Sequence, residues 1–254
     1  MKKNNKVTVY DWPTRIFHGI FAGLFLVAFL IAKTVSDESS LFSIHMLAGL
    51  TIAFILTLRL VWGFIGTIYA RFSSFSLAPA KLLAYMKGAL VAKTKRYLGH
   101  NPASSYAAII MFVCAAGLAF TGIMMAGGGE GEIYEEIHEL LANLFLITVI
   151  LHIAGIVFHH FKHKDSLWFS MVDGKKEKVE GKMGINSSKR FAGFLFLILT
   201  ITWMGYLYSS YDSATQTLNL FGQELVLGEE EHEHSSGYEM DEATDENKDY
   251  EVML

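Results

Sequence analysis

The chain contains a single cysteine, Cys114, in 254 residues. One thiol excludes an intrachain disulfide, an iron–sulfur cluster held by four thiolates, and covalent haem attachment through a C-x-x-C-H run. Cys114 falls inside an apolar run, where packing is its expected role. Charge is scarce too, at 18% of residues against 52% hydrophobic, with a mean hydropathy of +0.33. That balance excludes an ordinary soluble domain, and nothing in it suggests a nucleic-acid partner. No acid, base and nucleophile constellation stands out, and no repeat with a period of 20–50 residues is present.

What the chain does have is apolar blocks. Five runs approach or exceed the ~20 residues needed to cross a bilayer: 16–32, 44–65, 107–126, 137–161 and 191–208. The first follows a polar lead, is limited upstream by Pro13, and lacks a small-residue cleavage site, so it is expected to be retained. The reading is an all-α integral membrane protein, with a four-helix transmembrane bundle and a fifth transmembrane helix. The net charge of −4 conceals an asymmetry between connections. Lys2, Lys3 and Lys6 precede the first run. Arg71, Lys81, Lys87, Lys93, Lys95 and Arg96 follow the second, and a third basic group from Lys162 to Arg190 follows the fourth. The other connections carry Asp37 and Glu38, then Glu130, Glu132, Glu135 and Glu136. The positive-inside rule then puts the N-terminus in the cytoplasm and the C-terminus outside a bacterial inner membrane.

Between the runs, residues 77–91 have the pattern of an amphipathic surface helix, and 173–190 are a basic linker. Residues 218–227 are weakly apolar. Residues 229–254 hold 11 acidic side chains and one lysine, a composition that cannot bury enough surface to fold alone. The expected divisions are 1–180 as the core domain, 181–210 as linker and fifth helix, and 211–254 as an external acidic, disordered tail. Such a tail would guide a basic external partner by charge.

Among the histidines inside the runs, four sort by depth: His18, His45, His138 and His152. His138 and His152 share one run, and fourteen residues bring them within about 40° of the same helix face and about 21 Å apart along the axis. An ionisable side chain in a membrane helix is costly and is a functional candidate by default. Loop-charge topology sorts the four by depth into His18 with His152 near the cytoplasm and His45 with His138 near the outside. Facing imidazoles can hold a haem iron from both axial sides in a bundle. Four histidines split between two surfaces suit neither one tetrahedral zinc site nor a continuous proton chain.

Several segments also resemble one family. Residues Asp11, Trp12, Pro13, Thr14, Arg15, Ile16, Phe17 and His18 resemble the opening of the prokaryotic cytochrome b-561 family, which includes cytochrome b subunits of nickel–iron hydrogenases and thiosulfate reductases. Tyr97 to Pro102, with His100 and Asn101, resembles the segment before that family's third span. His138 and Glu139, Ala142 and Asn143, and Leu151 and His152 resemble its fourth span, and Met171 to Lys176 the close of its core. The resemblance covers residues 8 to about 176 and implies two non-covalent b haems, with His18, His45, His138 and His152 as ligands. Gly19 departs from the family in standing where a tryptophan often follows the first histidine, and the fifth run and acidic tail lie outside the resemblance.

The expected function is electron transfer between the quinone pool and an external c-type cytochrome or redox enzyme subunit, with an electron-transfer subunit favoured over an enzyme in its own right. Arg59 and Arg15 are candidates to pair with haem propionates, each with snorkelling to lipid headgroups as its rival. Gly49, one turn past His45, would let a flat ring approach. His159 and His160 could meet a propionate or a quinone, while His100 and His163 have no assigned chemistry. His232 and His234 belong to the tail. Two other readings stay open: a superoxide-oxidase-like enzyme acting alone on a small molecule, and a haem-free transporter bearing histidines.

Overall fold

The computed structural model describes residues 6–228, except 92, 94, 129–131 and 165–166. The expected acidic tail at 229–254, including His232 and His234, therefore lies outside the described residues.

Among the described residues, five helices are long and apolar enough to cross a membrane: α1 (Trp12–Thr34), α2 (Phe42–Ile65), α4 (Pro102–Ala126), α5 (Glu132–His163) and α7 (Arg190–Ser210). Between them lie α3 (Pro79–Leu90), at the amphipathic segment, and the one-turn α6 (Ser170–Asp173). Two helices begin earlier than hydropathy alone suggests, because polar caps start them. Asp11 accepts from the Thr14 backbone N–H at 3.0 Å, with Pro13 in the first turn. Asn101 accepts from Ser104 N–H at 2.8 Å, ahead of Pro102. Both arrangements satisfy otherwise unpaired first-turn donors.

The helices assemble as two antiparallel pairs, α1 with α2 and α4 with α5, joined chiefly through α2 against α4. The fifth helix, α7, packs on α1 and α2. It comes close because Gly193 faces α1: a Cβ there would stand 2.5 Å from the Trp12 Cβ. Small residues at such crossings gain dispersion contact where lipid offers no hydrophobic drive. Leu26, Val27 and Leu30 on α1, with Ile147, Ile150 and Leu151 on α5, are exposed and suit acyl chains.

Each end of the bundle is closed by strands. At one end β1 (Lys6–Thr8) pairs antiparallel with β2 (Lys175–Glu177), and Val9, Tyr10 and Leu98 are buried beneath. Asp11, fully buried, also accepts from Trp62 Nε1 at 3.1 Å and Thr67 Oγ1 at 2.6 Å, tying the start of α1 to the end of α2.

At the other end β3 (Tyr211–Asp212), β4 (Thr217–Leu220) and β5 (Gln223–Val226) form an antiparallel sheet in that order. This corrects the boundary expected at 211: the chain is ordered through residue 228. Leu218, Leu225 and Leu227 bury themselves with Leu50, Ala126 and Leu207, which offsets the cost of ordering the segment. The β4–β5 turn is two residues long, and Phe221 and Gly222 both have positive φ, the geometry that matches strand twist. Ser43 Oγ donates to the Leu227 carbonyl at 3.2 Å and fastens the sheet to α2.

Candidate functional site

At the β3–β5 end, His45 from the first turn of α2 faces His138 near the start of α5, with ring centroids 6.3 Å apart. Both rings are oriented by their Nδ1 atoms. His45 Nδ1 lies 2.9 Å from the Ala28 carbonyl, which can only accept. Thr121 Oγ1 donates to the Gly117 carbonyl at 2.9 Å, so at 2.8 Å from His138 Nδ1 it acts as acceptor. Each Nδ1 therefore carries the proton and each Nε2 keeps its lone pair, the tautomer a metal needs. With metal–nitrogen bonds of about 2 Å, two imidazole centres on opposite sides of one ion stand about 6 Å apart. Gly122 of α4 approaches the His138 ring, and the space beside Gly49 is open.

At the β1–β2 end, His18 of α1 and His152 of α5 are near enough to interact electrostatically. Between the two levels, Phe21 and Phe25 of α1 meet Phe145 of α5, with ring centroids 5.9 and 4.7 Å apart. The α1–α5 space is thus filled by rings at mid-height, with one histidine pair towards each end. The structure brings together the two pairs that depth sorting in the sequence anticipates. Among the described residues, no group of three or more His, Cys, Asp or Glu side chains is arranged to hold a metal ion.

Arg59 is 3% exposed and does not reach the surface. Its guanidinium lies near the rings of Phe17, Phe72 and Phe112, with the carbon 6.0, 5.6 and 5.5 Å from their centroids. One nitrogen, Nη2, donates to the Ala70 carbonyl at 3.0 Å, while Nη1 is covered and has no partner. Asp11 lies close enough to attract the charge. Arg15 is placed differently: its Nε donates to the Met171 carbonyl at 3.3 Å and its Nη2 to the Val172 carbonyl. That tether holds α6 against α1.

His100 is the residue the sequence reading left without chemistry. It is half-buried, its ring lies 4.7 Å from Phe75 and 6.3 Å from Tyr10, and its Nδ1 is covered and unpartnered. Burial, then the charges of Lys176, Arg59 and His152, push its pKa down to about 3. A covered donor or acceptor with no partner is costly, so Arg59 Nη1 and His100 Nδ1 mark a place suited to a polar group. The signals available in the sequence were its place directly before the Asn101 cap of α4 and its presence in the Tyr97–Pro102 segment that carries the family resemblance. His159 and His163, at the end of α5, have ring centroids 4.5 Å apart and planes tilted by 43°.

Residues 9–174 match the family model described as prokaryotic cytochrome b561. A curated relative from Rhizobium leguminosarum bv. viciae, described as a probable Ni/Fe-hydrogenase B-type cytochrome subunit, is 26% identical over 217 residues, covering 68% of this chain and 90% of the relative. No solved structure is significantly similar to the chain. With a match spanning more than half its length and five apolar helices around facing histidines, the chain belongs to the prokaryotic cytochrome b561 family and is a membrane b-type cytochrome of electron transfer.

Proposed function

We propose that the chain holds two b haems, one between His18 and His152 and one between His45 and His138, and carries electrons across a bacterial inner membrane. The observation that carries this reading is the His45–His138 pair, 6.3 Å apart with both Nδ1 atoms committed to acceptors. When bound, a b haem supplies an iron that takes up and releases one electron at a time. The chain's own residues do the rest. His18, His152, His45 and His138 would hold the haems, apolar helices would exclude water, and Arg59 Nη1 and His100 Nδ1 would offer polar contacts for anionic propionates at the His18–His152 level.

Basic connections at the β1–β2 end support a cytoplasmic N-terminus, which makes the β3–β5 end the external one. The quinone pool and an external redox protein are the two exchange partners. Similarity to a relative described as a hydrogenase subunit supports an enzyme subunit as that external partner, ahead of a c-type cytochrome.

An optical and redox titration of purified protein tests the reading. Two low-spin haems are expected; His18→Ala or His152→Ala should remove one and spare the other, and His45→Ala or His138→Ala the converse. Two full haems in all four variants would overturn the assignment. Purified alone, the protein should not consume superoxide; turnover would favour the stand-alone enzyme.

A further inference from the structure

Beside the β1–β2 ribbon lies a shallow cleft, open to the surface and lined in part by Lys6, Arg96, Tyr97, Lys175, Lys176 and Glu177. Among these described lining residues four are cations and one is a carboxylate. Backbone geometry fixes where the charges stand. Lys6 and Lys175 are carried by the paired strands, and Lys176 Nζ donates to the Gly99 carbonyl at 3.1 Å while lying 4.9 Å from the Tyr10 ring centre. A carbonyl and a ring hold an ammonium in position without neutralising it. Lys6 meets Asp173 at 3.9 Å, a contact on half-exposed side chains that contributes little.

The rim of the cleft is apolar. Leu167 lines it, and the neighbouring Trp168 and Phe169 are 60% and 45% exposed. Exposed aromatic and aliphatic side chains at the end of a membrane-spanning helix belong at the boundary between acyl chains and headgroups. A basic cleft bounded by such a rim offers both halves of what an anionic lipid requires: cations for the phosphate and an apolar seat for the chains.

We propose that this cleft binds the phosphate of an anionic phospholipid headgroup, with Lys6, Lys175 and Lys176 as its contacts. The chemistry recognised is a phosphate oxyanion, and free inorganic phosphate is its other source. Native mass spectrometry of the purified full chain, with phosphatidylglycerol or phosphatidylcholine added in detergent, separates these. Wild-type protein should retain phosphatidylglycerol and not phosphatidylcholine, and millimolar inorganic phosphate should not displace the lipid. The double variant Lys6→Gln with Lys175→Gln should weaken retention roughly thirtyfold, at about 1 kcal/mol for each lysine. Lys81→Gln with Lys87→Gln, the same charge change on α3, should leave it unaltered. Equal retention of the two lipids, or equal loss in both double variants, would overturn the site, and displacement by inorganic phosphate would reassign it to a free anion. The lipid comparison on wild-type protein needs no variant to fold.

Discussion

Phe145 packs against Phe25 with ring centroids 4.7 Å apart, seven residues from His138 and seven from His152 on the same helix. It is 2% exposed, so one ring fills the space between the two histidine levels and holds α1 against α5. Phe145→Ala should leave both histidine pairs able to ligate but open a cavity between them. The expected loss of stability is about 3–5 kcal/mol, read as an earlier thermal transition in detergent. Unchanged melting would mean the helices close over the gap.

His138 is oriented by a hydroxyl that is itself tied to the Gly117 carbonyl. Thr121→Val keeps the shape and removes the acceptor for His138 Nδ1–H. Haem affinity at that level should fall about 10- to 100-fold, with Thr121→Ser retaining most of it. Haem-release kinetics for the two variants give the comparison, and equal rates would dismiss the orienting role.

Of the two arginines named from sequence, Arg59 and Arg15, the structure leaves an unpartnered covered nitrogen on Arg59 alone. Arg59→Leu should shift the potential of one haem without changing its low-spin spectrum. Arg15→Leu should act on stability instead, because it releases α6. A redox titration in which Arg15→Leu moves a potential and Arg59→Leu does not would reverse the assignment.

In the haem-free protein, where no propionate stands beside it, His100 makes acid a destabilising condition. Folded, its pKa is pushed down to about 3 by burial, while the unfolded chain binds the proton near the ordinary histidine value of about 6.5. Between those values the unfolded state holds more protons, so stability falls as pH drops through that window and is fully present above it. His100→Gln should flatten this part of the curve. Measured unfolding of wild type and variant from pH 7 to pH 4 should diverge, and parallel curves would show that other groups set the acid limit.

The tail beyond residue 228 begins directly after the β3–β5 sheet, close to the His45–His138 pair. Its 11 acidic residues should speed the encounter with a basic partner at low salt. Removing 229–254 should slow electron transfer to such a partner at low ionic strength, leaving haem spectra intact. Equal rates with and without the tail would reject the guiding role.

Hydropathy located all five long helices, because lipid forces every backbone group into local pairing and so demands long apolar runs. The histidine pairing was legible for the same reason: depth along a spanning helix is fixed by residue count. What sequence periodicity could not reach were contacts made by segments far apart. Lys6–Thr8 pairs with Lys175–Glu177, and that closure helps to cover Tyr10, against which His100 lies. The sheet at 211–226 was also hidden, since its facing leucines, Leu218 on β4 and Leu225 on β5, gain their value against α2, α4 and α7. Arg15 looked like Arg59 on paper, and a distant pair of carbonyls gave it another task.

Because α5 contributes a histidine to each pair, it also sets the order in which the molecule can be completed. While the chain is being made, α1 and α2 carry His18 and His45, which belong to different pairs and have nothing opposite them. The arrival of one helix, Glu132–His163, supplies both missing partners, and the strand at 175–177 then seals the end beside His18. On the proposed ligation, cofactor loading would be a single late event in biogenesis: a nascent chain halted before α5 has a histidine on one side only at either level, and one extended past it has both pairs.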